Sequence, residues 1–119
     1  TDHAPHAIAE KNKPIDKAPF GIIGNQHAFS LMYTYIVKKG LIPLEKVLTC
    51  MSLNPAKVIE IDHDLEIGYK ANLAVFDLEE EYTITKDNIK SKSINTPFLD
   101  TKCYGVLKYH VLDGVITKI

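Results

Sequence analysis

The sequence predicts a mixed α/β chain divided near residue 60, with a loop and three helices before the division and a small antiparallel β unit after it. Three observations predict this. Between residues 25 and 60, apolar side chains recur at the 3.6-residue period of a helix face. After that the apolar residues fall in short runs of strand length. Near the C-terminus, two β-rich runs flank Asp113-Gly114, a dipeptide that favours a two-residue hairpin turn because both positions tolerate positive φ.

Residues 1–20 read as a loop, with Pro5, Pro14 and Pro19 and the polar stretch Glu10-Lys11-Asn12-Lys13. Loops this long are usually functional or disordered. Phe20-Gly21-Ile22-Ile23-Gly24 is apolar. Asn25 is the expected N-cap of the first helix, its side-chain oxygen available to the free N–H groups of the first turn. Ala28, Leu31, Met32, Tyr35 and Ile36 form the expected buried face. Lys38 and Lys39 suit the negative end of the helix dipole, and Gly40 suits a left-handed closing residue. Pro43 starts a second helix, with Leu44, Val47, Leu48 and Met51 on its apolar side. Asn54 is expected to cap a third, with Pro55 in its first turn and Val58 and Ile59 facing inward.

Ile67-Gly68-Tyr69-Lys70 is the expected turn into the β unit, and residues 71–78 are its first strand. Glu79, Glu80 and Glu81 read as a solvated charge run, Tyr82-Thr83-Ile84 as a second short strand, and residues 86–103 as irregular. Residues 106–112 and 115–119 complete the hairpin. The runs 71–78, 106–112 and 115–119 are expected in one small sheet. Its apolar face is left uncovered unless another segment or copy supplies a partner. Each half, at roughly 60 residues, is marginal as an independent domain.

Composition excludes several function classes. The chain has 119 residues, 45% hydrophobic and 24% charged, within the globular range. Lys plus Arg is 14 and Asp plus Glu 15, so no basic surplus exists to neutralise a nucleic-acid backbone. No apolar run approaches the ~20 residues of a membrane-crossing helix. Two cysteines, Cys50 and Cys103, are too few for a disulfide scaffold and read as buried thiols. The polar, histidine-bearing first residues do not resemble a secretory leader. These features point to a soluble, cytoplasmic setting without nucleic-acid or membrane partners.

The chemistry is concentrated at the start: Thr1-Asp2-His3-Ala4-Pro5-His6. A carboxylate can bind a divalent metal or take a proton from a metal-bound water. On spacing alone Asp-x-x-x-His is weak evidence. The alternative is that Asp2 ends a strand or caps a turn and that the histidines are ordinary loop residues. His27, His63 and His110 lie far off in unrelated contexts. An opening on so chemical a segment, without an initiator Met, suggests a piece of a longer chain.

Five segments occur here in the order found in one family. They are Thr1-Asp2-His3-Ala4-Pro5-His6, Lys17-Ala18-Pro19-Phe20-Gly21-Ile22-Ile23-Gly24, Leu53-Asn54-Pro55-Ala56-Lys57, the run from Gly68 to Asp77, and Asn95-Thr96-Pro97-Phe98. The chain resembles, essentially end to end, the C-terminal part of the bacterial-type dihydroorotases. The Asn-Pro-Ala and Ala-Asn-Leu segments are shared broadly by cyclic amidohydrolases. The opening motif and the Ala-Pro-Phe-Gly loop are specific to dihydroorotases.

The resemblance implies a metal-dependent (β/α)8 barrel with a small β-sandwich built from both chain ends. Residues 1–60 would be the C-terminal end of the barrel with its active-site loop, and residues 61–119 the C-terminal half of the sandwich. It implies reversible hydrolysis of dihydroorotate to N-carbamoyl-aspartate with one or two zinc ions, in pyrimidine biosynthesis. Asp2 matches the aspartate at the end of the eighth barrel strand, a metal ligand that also shuttles the proton between attacking hydroxide and leaving nitrogen. His6 matches the residue that binds the substrate carboxylate. Phe20 and Gly21 match a loop whose backbone contacts substrate, where glycine permits close approach.

His3 has no assigned role. Where the family often has Glu-Thr-Ala, Asn25-Gln26-His27 precede Ala28, and His27 is expected on the helix surface or at an interface. Tyr33 and Tyr35 are expected in packing. The family's other metal ligands would lie upstream of Thr1, so the chain alone is expected to be inactive. Two other readings stand beside this one. One is a non-catalytic homologue acting as a scaffold for aspartate transcarbamoylase. The other is a different cyclic amidohydrolase, such as an allantoinase or hydantoinase. Besides the small-molecule substrate, the implied partners are the N-terminal part of the same enzyme, a second copy, or aspartate transcarbamoylase.

Overall fold

The computed structural model describes residues 1–61 and 65–119; His63 lies outside the described residues. In chain order the elements are α1 (Ile8–Lys11), α2 (Ala28–Met32), α3 (Leu44–Leu48), α4 (Asn54–Val58), β1 (Leu73–Thr83), β2 (Lys102–Leu112) and β3 (Val115–Lys118). Wide π-helical turns extend α2 over Tyr33–Val37 and join α3 to α4 over Thr49–Leu53. A 3-10 turn spans Lys86–Asn88.

The opening loop is not wholly irregular. Residues 6–13 hold no proline, and one helical turn forms there as the Glu10 and Lys11 N–H groups donate to the Ala7 carbonyl. Asn25 does not cap α2. The N-cap position belongs to His27, with no side-chain cap, while the Asn25 Oδ1 accepts from the Thr1 hydroxyl. The buried face also differs from the expected one: Tyr33 is buried and Tyr35 is exposed. The cause is Gly105 on β2, whose missing side chain lets α2 settle on Phe29, Ser30 and Tyr33. A Cβ at Gly105 would stand 3.3 Å from Phe29 and 3.6 Å from Tyr33. Ser30 Oγ donates to the Gly105 carbonyl at 2.7 Å, and the Phe29 ring lies 4.2 Å from that of Phe76.

The expected second and third helices are continuous. Leu53 and Asn54 both have helical backbone angles, so Asn54 is a helix-interior residue and not a cap. Pro55 has no N–H to donate to the preceding turn, and the widened turn before it re-registers the ladder. Val58 and Ile59, expected to face inward, are 82% and 63% exposed. Among the described residues α4 packs chiefly on the turn that precedes it, and no second surface of theirs covers these side chains.

The three strands form one antiparallel sheet in the order β1-β2-β3. β1 is longer than expected and absorbs both the glutamate run and Tyr82-Thr83. The Asp77 Oδ1 accepts the N–H groups of Glu79 and Glu80, which bulges the strand between Asp77 and Glu81. Pairing resumes at Glu81 with Tyr104. The glutamates are not merely solvated: Glu80 pairs with Lys108, and Glu81 with Lys102 at 3.0 Å. β2 starts at Lys102, ahead of the expected Val106. Asp113 and Gly114 have φ of 48° and 81°, the primed turn expected between β2 and β3. Leu112, Val115 and Ile116 stay exposed, so the described residues leave that part of the sheet uncovered.

The core lies where the Ile23 segment, the end of β1, the start of β2 and residues 84–99 meet. Ile23, Ile84, Ile89 and Cys103 are buried, with Leu31, Tyr82, Ile94, Phe98 and Leu99 packed around them. The segment that read as irregular therefore supplies much of the core. Cys103 is a buried thiol as expected, but Cys50 is exposed. Among the described residues no helix is long and apolar enough to cross a membrane.

Candidate active site

Residues 1–6 and 20–24, separated by the long loop, run side by side. His3 and Ile22 form a parallel bridge, and the Ala4 N–H donates to the Ile22 carbonyl at 2.8 Å. The approach is close enough to require glycine. Gly21 has φ +100°, and a Cβ there would stand 2.5 Å from the Ala4 Cβ. At Gly24 a Cβ would stand 2.8 Å from the Thr1 carbonyl oxygen.

This pairing brings His6, Phe20 and Gly21 together. His6 Nε2 donates to the Phe20 carbonyl at 2.9 Å, while the Glu10 carboxylate, one turn away on α1, lies 3.9 Å from Nδ1. The Phe20 side chain itself is 94% exposed. Lys11 Nζ donates to the carbonyls of Pro19, at 2.9 Å, and Gly21, at 3.1 Å. The single turn of α1 thus places a cation against the back of the loop and an anion near the histidine.

A third segment joins them from the far end of the chain. Asn95 Nδ2 donates to the carbonyls of Ala4, at 2.8 Å, and Gly21, at 3.3 Å. Asn95 Oδ1 accepts the His6 N–H at 3.2 Å, and the Asn95 carbonyl accepts the Ile23 N–H at 3.1 Å. Ser93 Oγ lies 2.7 Å from Asn95 Oδ1 and within hydrogen-bond reach of the His6 carbonyl. Sequence reasoning had Asn95 inside a motif but gave it no role, and missed Lys11 and Ser93.

Asp2 sits at the start of this cluster, exposed and with φ 45°. His3 Nδ1 accepts the Gly24 N–H at 3.1 Å, so its neutral ring carries the proton on Nε2 and braces the segment. Among the described residues no three His, Cys, Asp or Glu side chains converge to hold a metal. The described residues therefore do not by themselves form a metal site.

His27, expected on the helix surface or at an interface, is buried within the described residues. Because α2 starts only at Ala28, His27 falls in the turn before it and packs under Tyr82. Its Nδ1 is 2.9 Å from the Tyr82 hydroxyl, and among the described residues its buried Nε2 has no partner. Burial lowers the His27 pKa and raises that of Tyr82. An open cavity of about 740 Å³ lies beside it, bounded by Leu31, Phe76, Phe98 and Leu107 and reached by His3 but not by Asp2, His6 or Gly21.

A protein-family profile described as "Amidohydrolase family" matches residues 1–117. The chain is 44% identical over 118 residues to a dihydroorotase of Macrococcus caseolyticus, a match covering 98% of this chain and 28% of that protein. It is 45% identical over 116 residues to one of Ligilactobacillus salivarius, covering 96% and 27%. A third match, to one of Caldanaerobacter subterraneus, is 40% identical over 116 residues, covering 98% and 27%. The chain thus spans little more than a quarter of the length of these relatives.

Proposed function

We propose, from the premise that the chain belongs to the amidohydrolase family, that it is the C-terminal part of a dihydroorotase. The intact enzyme would interconvert dihydroorotate and N-carbamoyl-L-aspartate in de novo pyrimidine biosynthesis. The observation that carries this reading is the docking of the opening motif on the Ala-Pro-Phe-Gly loop. These are the two segments whose resemblance is specific to dihydroorotases, and His6 lies against the Phe20 carbonyl where they meet.

In this reading His6 and the backbone at Phe20 and Gly21 hold the substrate's carboxylate. An ionised carboxylate is a stronger acceptor than a peptide carbonyl, so it competes for the His6 Nε2 proton with the Phe20 oxygen. Asp2 would be one of the residues that hold the metal, and its carboxylate would carry the proton between the attacking oxygen and the leaving ring nitrogen. Membership of the family implies metal dependence. Zinc, one or two ions, is the metal assigned by resemblance, with its remaining ligands outside these residues. Residues 1–60 would complete a (β/α)8 barrel and residues 61–119 half of a β-sandwich. The protein partners carried over are the N-terminal part of the enzyme and either a second copy or aspartate transcarbamoylase, in the cytoplasm.

Assays of the intact enzyme and of the isolated chain test the reading. The intact enzyme is expected to open dihydroorotate faster than hydantoin or allantoin; the reverse order would assign it to another cyclic amidohydrolase. The isolated 119-residue chain is expected to show no turnover. Full activity from it would overturn the claim that further ligands are needed.

A further inference from the structure

We propose that Asn95 is a positioning residue for the reaction assigned above, on whose reading this inference rests. It fixes the separation between His6 and the Phe20–Gly21 peptide, with Ser93 as a second anchor. A primary amide offers two donor hydrogens and an oxygen with two lone pairs. Both donors are used, one on each strand of the site: Ala4 carbonyl on the first, Gly21 carbonyl on the second. The oxygen takes the His6 N–H and faces the Ser93 hydroxyl. The single Ser93 proton serves either that oxygen or the His6 carbonyl. The orientation of the amide is thereby settled, since a flipped group would set its NH2 against the His6 N–H and its oxygen against two carbonyls.

Among the described residues no other side chain donates to both strands. Lys11 holds the Pro19 and Gly21 carbonyls, but from the loop side alone. Asn95 also receives the Ile23 N–H on its own carbonyl, so its position is fixed by the segment it braces. Side-chain placement at a reacting centre is sensitive: an error of about 1 Å can cost on the order of a hundredfold in rate. Removing the amide frees His6 and Gly21 to drift apart. The residues that touch substrate remain present but lose their common frame.

Asn95→Ala and Asn95→Asp in the intact enzyme test this. Asn95→Asp keeps the acceptor but loses both donors. Both variants are expected to raise KM for dihydroorotate about tenfold or more while kcat falls less. Both should also speed amide hydrogen exchange in peptides covering residues 1–7 and 20–24, with exchange in β2 unchanged. Val47→Ala, at a buried site on α3 that takes no part in the hydrogen bonds of this cluster, is the control for general destabilisation. It is expected to lower the melting midpoint and leave KM and local exchange alone. Asn95 variants that match the parent in KM and exchange, or a control that reproduces their changes, would overturn the proposal. If the parent itself fails to turn over dihydroorotate, the functional reading falls, and the exchange measurement still decides whether Asn95 holds the two strands together.

Discussion

The imidazole of His6 donates from Nε2 to the carbonyl oxygen of Phe20 at 2.9 Å. The side chain assigned to the substrate carboxylate is therefore occupied by the loop assigned to contact the same substrate. His6→Ala removes a donor that would bind a charged acceptor, an interaction of about 1.5–3 kcal/mol. The expected result is a loss of roughly 10- to 150-fold in kcat/KM for the intact enzyme, read by steady-state kinetics. A variant within twofold of the parent would remove His6 from the site.

Gly21 and Gly40 separate backbone strain from close approach. Both have positive φ, but an added Cβ meets Ala4 at 2.5 Å in the first case and, among the described residues, nothing within 4 Å in the second. Gly40→Ala is expected to cost about 1–2 kcal/mol of stability and to leave kcat/KM intact. Gly21→Ala must also push the two strands apart, and kcat/KM should fall by on the order of a hundredfold. Equal activities of the two variants would contradict the packing described for the loop.

The buried His27 makes stability depend on pH. Burial lowers its pKa below the ordinary 6.5. As pH falls through about 6.5 the unfolded chain takes up this proton and the folded protein does not. Stability that is complete above that pH is therefore lost below it, until the folded-state value is passed. His27→Gln is expected to reduce the drop in melting temperature between pH 8 and pH 5. An unchanged drop would mean that other groups carry it.

The two thiols should react differently. Cys50 is exposed, whereas Cys103 is buried and burial raises its pKa. Thiolate is the reactive species, so a thiol-titrating reagent is expected to modify Cys50 at once in the native chain and Cys103 only after denaturation. Rapid native labelling of Cys103 would show that β2 opens readily.

What the sequence made legible was local. The Asp113-Gly114 turn, the sheet it organises and the left-handed Gly40 follow from residue chemistry within a few positions. The helix details did not, because tertiary contacts set them. Gly105, far away on β2, chose Tyr33 over Tyr35 as the buried residue, and Thr1 took the Asn25 side chain away from its capping role. At the site, the opening motif and Phe20-Gly21 could be picked out by resemblance. Their mutual contact could not, and Asn95 and Ser93 have no local pattern that reveals partners at the other end of the chain.

The distance in sequence between Asn95 and His6 also has a temporal meaning. They are 89 positions apart, and a ribosome adds about 5–20 residues per second. The strand bearing His6 therefore waits roughly 4–18 seconds after its synthesis for the amide that locks it to Gly21. The bracing amide is thus the last part of this cluster to be synthesised. A nascent chain that stalls after α4 carries His6, Phe20 and Gly21 and the segments that pair them, without the amide that braces the pair.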